Sequence, residues 1–279
     1  MVHPNEIDAV SGELWMLDTL GIEERDGDSP DGQVELVAGF ALATEADQAA
    51  ARLNRFCVVE EIHDNEQLLA TWREHASPVR AGHRIVVRPP WIGYDVEPCD
   101  LVLHIDPGPV FGSGSHATTQ LALAELEVAL EGNERVLDVG CGSGVLSVAA
   151  ARLGAIDVVA IDIEASAAHT TDTNARRNGV SELIAASATP LAGIDGSFDV
   201  VVANILASVL VELGPDLVTR VSQHGRDGHE GRLILAGLLR SQIDDVMAAV
   251  PLRLFHTTSA IGHDGRADPA NDWVCLTLG

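Results

Sequence analysis

The sequence predicts an α/β protein with a Rossmann-like, mostly parallel sheet. Three observations predict it. From Thr118 onward, helical and strand-like segments alternate, the pattern of a parallel sheet covered by helices on both faces. Val136–Val139 is an apolar strand running into a glycine turn at Gly140, Gly142 and Gly144, where a helix begins. Asp162 then closes the next apolar run, Val158 to Ile161, placing a carboxylate one strand further on.

The elements follow in order. Apolar residues at Ile7, Val10, Leu14, Leu17 and Leu20 have helical spacing, and Asp26 to Gly32 is a turn-rich loop. Val34–Leu42 predicts a strand, Thr44 caps a helix to about Asn54, and Phe56–Ile62 predicts a second strand. Residues 1–65 thus form a small α+β domain. Residues 66–100 are a connector, with a helix near Asn65–His75, a short strand at Arg84–Arg88 and a run of prolines. The main domain, 101–279, opens with a strand at Leu101–Ile105 and the loop Asp106–His116. Helices at 118–131, 144–153, 165–178, 206–221 and 240–249 then alternate with strands at 135–139, 157–161, 198–203 and 232–236. Leu252–Ile261 and Trp273–Leu278 form a hairpin, so the sheet ends on an antiparallel strand.

A hydrophobic content of 46% fills a core. The first residues lack the basic and apolar regions of a signal peptide, and apolar runs are too short to span a bilayer, so a cytoplasmic protein without membrane partners is expected. Cys57, Cys99, Cys141 and Cys275 are scattered, which argues against a disulfide framework and a metal site. The formal charge is −25, and all 17 basic residues are arginine. Such a chain suits a basic substrate and not the phosphates of nucleic acid. Coding bias or salt adaptation explains the same acidity without any role for it.

The chemistry concentrates at strand ends. Val145 stands where a dinucleotide fingerprint places its third glycine, and Asp138 would repel a pyrophosphate. A cationic ligand with a ribose suits both carboxylates, which points to S-adenosylmethionine. Asn204 ends the apolar strand Val200–Ala203; it either caps the next helix or meets the ligand. Glycines and small hydroxyl residues at Phe111–Thr119 precede a helix, as either a capped turn or a lid touching the ligand through Thr119. His116 in that loop reads as structural, with a catalytic role as the alternative.

The run Asp106-Pro-Gly-Pro-Val-Phe-Gly-Ser-Gly-Ser-His-Ala-Thr-Thr119 resembles the signature D-P-G-x-A-F-G-T-G-T-H-P-T-T of the ribosomal protein L11 methyltransferases. Val136–Gly144, Asp162, Asn174–Gly179, Val201–Ala207 and the Pro78-x-Arg80-x-Gly82 core of the connector are also similar to that family. Ser113, Ser115 and Ala117 depart from the signature, and residues 1–65 match only in the order of elements. The resemblance covers residues 72–279 and implies a class I methyltransferase sheet with a ferredoxin-like N-terminal domain that grips the substrate. It implies S-adenosylmethionine held by Thr119, Gly140, Asp162 and Asn204, and methyl transfer to the α-amine and lysines of ribosomal protein L11. No catalytic base and no metal ligand are assigned, and a monomer is expected. Two alternatives stay open: a lysine methyltransferase of another protein, of the electron-transfer flavoprotein type, and a non-catalytic protein that binds the same cofactor.

Overall fold

The computed structural model describes residues 2–3, 10, 14, 19, 21–26, 34–40, 43–53, 57–59, 76–108, 110–223, 230–260 and 272–279. The chain divides into two compact units, Met1–Asn65 and Glu66–Gly279.

In the first unit, β1 (Gly21–Asp26) pairs antiparallel with β2 (Val34–Gly39), in register from Gly21 opposite Gly39 to Asp26 opposite Val34. Helix α1 spans Ala43–Arg52. Val2, Val10 and Leu14 form a small core with Leu36, Ala38, Phe40 and Leu53. β1 carries Gly-Ile-Glu-Glu-Arg-Asp, with no apolar alternation, so its sequence did not predict a strand. Residues 57–59 lie in no strand, and the rest of the run expected at Phe56–Ile62 falls outside the described residues. So do most of the expected helix at Glu6–Leu20 and all of that at Asn65–His75.

The second unit opens with a three-stranded sheet in which β4 (Ile85–Arg88) is antiparallel to β3 (Val79–Ala81) and parallel to β5 (Leu101–His104). Then come α2 (Ala117–Ala129), β6 (Arg135–Val139), α3 (Val145–Leu153), β7 (Asp157–Ile161), α4 (Ala165–Arg177) and β8 (Ile184–Ser187). β9 (Val200–Asn204), α5 (Ala207–Arg220), β10 (Arg232–Leu239), α6 (Ile243–Ala249), β11 (Leu254–Ser259) and β12 (Trp273–Leu278) complete it. The main sheet has seven strands in the order β11-β12-β10-β9-β6-β7-β8. Its strands from β10 to β8 are parallel, and β12 runs antiparallel between β10 and β11. β8 went unpredicted because Ile-Ala-Ala-Ser is short, small and half-exposed, as an edge strand tolerates.

Both faces of the sheet are covered. Val136, Val158, Val200, Val202 and Ile234 pack on one side with α2, α3 and the small sheet's Ile85, Val87 and Leu103. Leu137, Val139, Val201, Ala203, Leu233 and Leu235 face the other side, with Leu210 and Leu217 of α5 and Val246 of α6. Residues of each strand alternate between two apolar layers, which is why these strands read as unbroken apolar runs. β6 has β7 on one side and β9 on the other, so the chain order reverses there and opens a crevice at the carboxyl ends. Among the described residues, no helix is long and apolar enough to cross a membrane.

Candidate active site

The glycine turn is built at that reversal. Gly140, Gly142 and Gly144 have φ of 79°, 51° and 78°, a region L side chains rarely adopt. A Cβ on Gly140 would collide with the Ile205 side chain, and one on Gly142 would lie 2.6 Å from Phe111 O. Protein packing therefore demands these glycines. The turn's amides are also committed. Gly140 and Cys141 N–H donate to Ile161 O (2.8 and 3.0 Å), and Gly142 N–H donates to Asp162 Oδ2 (2.9 Å). Ser143 N–H donates to Phe111 O (2.9 Å) and Gly144 N–H to Cys141 O (2.7 Å). Five successive N–H groups are spent within the protein. A phosphate site needs such groups free.

What the crevice offers instead is acceptors. Asp162 Oδ2 takes the Gly142 amide and Oδ1 takes the Glu164 amide (3.1 Å), which fixes the carboxylate while leaving lone pairs on both oxygens. Asp138 is fully buried. Its Oδ2 accepts the Ser147 hydroxyl (2.5 Å), while Oδ1 has no hydrogen-bond partner. Burial pushes this carboxyl up to about 7, against hydrogen bonds from the Ser147 hydroxyl and amide, with the Asp162 charge adding to the rise. Asp138 thus acts from behind the turn, as a partly ionised carboxyl near neutral pH.

Asn204 and Thr119, 85 residues apart, meet directly: Asn204 Nδ2 donates to Thr119 Oγ1 (3.2 Å). The capping role for Asn204 does not hold, because α5 begins after Leu206 and has no side-chain cap. Ile205 fills the space beside Gly140, and its backbone in turn presses on Gly237, whose φ of 86° marks a bulge in β10. Gly140, Asp162 and Asn204 stand at or just beyond the carboxyl ends of β6, β7 and β9, and Thr119 lies buried in the first turn of α2 against Asn204.

The loop before α2 is tied to the turn. Besides the Phe111 contact, Ser143 Oγ donates to Gly112 O (2.6 Å). His116 accepts the Thr118 amide through Nδ1 (3.4 Å) and caps α2; its ring packs edge-on against Phe111 and Trp273. Burial lowers its pKa, so the ring is neutral. Its role is structural, as expected. Two features escaped the sequence reading. Ile163 is an apolar side chain 93% exposed immediately after Asp162. Ser143 is the fastening between loop and turn; nothing in its spacing distinguishes it from any small turn residue. Burial pushes the Cys141 thiol up to about 12, which makes it unreactive. Among the described residues no His, Cys, Asp and Glu cluster is placed to hold a metal.

Comparison with known proteins decides the lineage. The family profile described as "Ribosomal protein L11 methyltransferase (PrmA)" matches residues 24–278. The chain belongs to the ribosomal protein L11 methyltransferase family. The match starts well upstream of the segment in which the motifs resemble that family. A ribosomal protein L11 methyltransferase of Syntrophotalea carbinolica is 44% identical over 214 residues, covering 76% of this chain and 66% of the relative. One from Citrifermentans bemidjiense is 46% identical over 220 residues, covering 77% and 67%. The matches therefore span about two thirds of those relatives' length. A crystal structure of a ribosomal protein L11 methylase from Lactobacillus delbrueckii subsp. bulgaricus superposes with a TM-score of 0.62 at 31% identity, over 72% of this chain and 96% of that one.

Proposed function

We propose that the protein is a cytoplasmic, S-adenosylmethionine-dependent N-methyltransferase acting on the α-amine and lysine side chains of ribosomal protein L11. The carrying observation is the crevice's inventory: the Asp162 carboxylate and the Asn204 amide stand at its strand ends, and no amide of the glycine turn is left to hold a phosphate. Those acceptors fit a cationic, ribose-bearing ligand. When bound, S-adenosylmethionine supplies a methyl carbon made electrophilic by its sulfonium.

The chain's own residues then bind, orient and exclude. Asp162 accepts the ribose hydroxyls, Ile163 covers the base, and Gly140 shapes the floor. Thr119 and Asn204 hold the amino-acid end, with Asn204 Oδ1 turned to the acceptor amine. An α-amine with pKa ~8 loses its proton readily near neutral pH, while a lysine at ~10.4 needs desolvation. Alignment is the main catalytic work, and no side chain is assigned as a base. A single amide grip also leaves room for repeated transfer to one nitrogen. Residues 1–65 serve substrate recognition, and the net charge of −25 favours a basic protein partner.

Calorimetry and intact-mass analysis test this reading. S-adenosylmethionine should bind and stabilise by ~2.7 kcal/mol at a hundredfold excess over Kd. Asp162→Ala should weaken binding by ~1.5–3 kcal/mol. Ribosomal protein L11 should gain mass in methyl increments. Tight NAD binding, or unchanged affinity in Asp162→Ala, overturns the cofactor assignment. Increments on another protein but none on L11 overturn the substrate.

A further inference from the structure

Asn174, on the last turns of α4, is fully buried and spends its whole amide on two segments of the site. Its Oδ1 accepts the Asp106 N–H (3.1 Å), and its Nδ2 donates to Asp106 O (2.9 Å) and to Ser143 O (2.8 Å). Arg177 Nη1 also donates to Oδ1 (2.5 Å). One side chain therefore holds the start of the loop and the glycine turn at fixed separation. Ser143 supplies the second tie, through Phe111 O and Gly112 O. One helical turn further, Asn178 treats His104 in the same way: Oδ1 accepts the His104 N–H and Nδ2 donates to its carbonyl, both at 2.9 Å. Asn178 also bonds Asn174 O, and none of these partners belongs to the glycine turn. The two asparagines share chemistry and helix face but differ in what they join. A buried amide is costly unless every group is paired, so an apolar residue would serve as filler as well.

We propose that Asn174 is a positioning residue: it ties the Asp106 end of the loop to the glycine turn at Ser143 and so tunes affinity for the nucleoside ligand. This rests on the proposed function for the ligand, but the fastening itself does not. Amide hydrogen exchange on the full chain without ligand therefore comes first, in wild type, Asn174→Ala and Asn178→Ala. Asn174→Ala should speed exchange of the Ser143 amide, which bonds Phe111 O across the loop and the turn, about tenfold, the loss of roughly one net hydrogen bond. Asn178→Ala should lower the melting temperature comparably and leave that amide slow. In the second arm, the Kd of S-adenosylhomocysteine should rise about tenfold in Asn174→Ala, with kcat at saturating cofactor within about twofold of wild type. Asn174→Asp keeps the volume and the Oδ1 acceptor but loses both donors. It should show the same loosening, and it carries the test where the alanine variant does not fold. Equal loosening in Asn174→Ala and Asn178→Ala, or none in either, overturns the proposal. Failure of wild type to bind S-adenosylhomocysteine sinks the proposed function instead, and the exchange data still decide the fastening.

Discussion

Asp138 is the residue whose environment departs furthest from its sequence appearance. In the strand Val136–Val139 it looks like an electrostatic sensor facing a ligand; in the fold it lies behind the turn, bonded to Ser147. Burial raises its pKa from 3.8 to about 7. Between those values the folded protein binds more protons than the unfolded chain, so stability from this group is fully present below 3.8. It is lost as pH rises through about 7. Asp138→Asn abolishes that dependence. Chemical denaturation across this range should show wild type losing a few kcal/mol relative to Asp138→Asn, levelling off above the folded pKa. A constant difference between the two proteins at all pH values would contradict the burial argument.

At the scale of elements, α2 is the hub. Its N-terminal turn brings Thr119 to Asn204, and its carboxylates clip two other parts of the unit. Glu127 accepts the His83 and Arg84 amides (2.6 and 3.1 Å) and Arg84 Nε (2.9 Å), locking the turn between β3 and β4. Glu125 is buried and accepts from His256 (2.7 Å), Thr277 (2.7 Å) and Thr258, anchoring β11 and β12. Glu125→Ala leaves these donors without their acceptor and should cost roughly 2–4 kcal/mol in urea denaturation. Glu125→Gln should recover part of that loss, since it keeps one carbonyl acceptor. None of this was legible beforehand. Glu125 sits 131, 133 and 152 residues from its partners, and a carboxylate on an amphipathic helix looks the same whether it faces water or a strand. The main strands were legible because both of their faces are apolar, and β1 and β8 were not because edge strands need no such pattern.

For the whole molecule, the crevice was legible from topology. Alternating elements fix a parallel sheet, the sheet fixes where its order reverses, and Gly140, Asp162 and Asn204 stand at strand ends there. The contact between Thr119 and Asn204 needed the fold, since α2 precedes every strand of the main sheet. Net charge acts at this scale as well. With −25 on the enzyme, kcat/KM on a basic substrate should fall steeply between about 0.05 and 0.5 M salt while kcat holds. Stopped-assay rates at subsaturating and saturating substrate separate the two. A flat kcat/KM would assign the acidity to composition alone.

The five committed amides of the glycine turn have a consequence for the cell as well as for the ligand. ATP, NAD and their breakdown products crowd the cytoplasm, and most nucleotide pockets must tolerate their competition. A turn whose amides are all committed offers their phosphates no anchor. Under the proposed function, the rate of modification follows the supply of methyl donor and the build-up of its demethylated product.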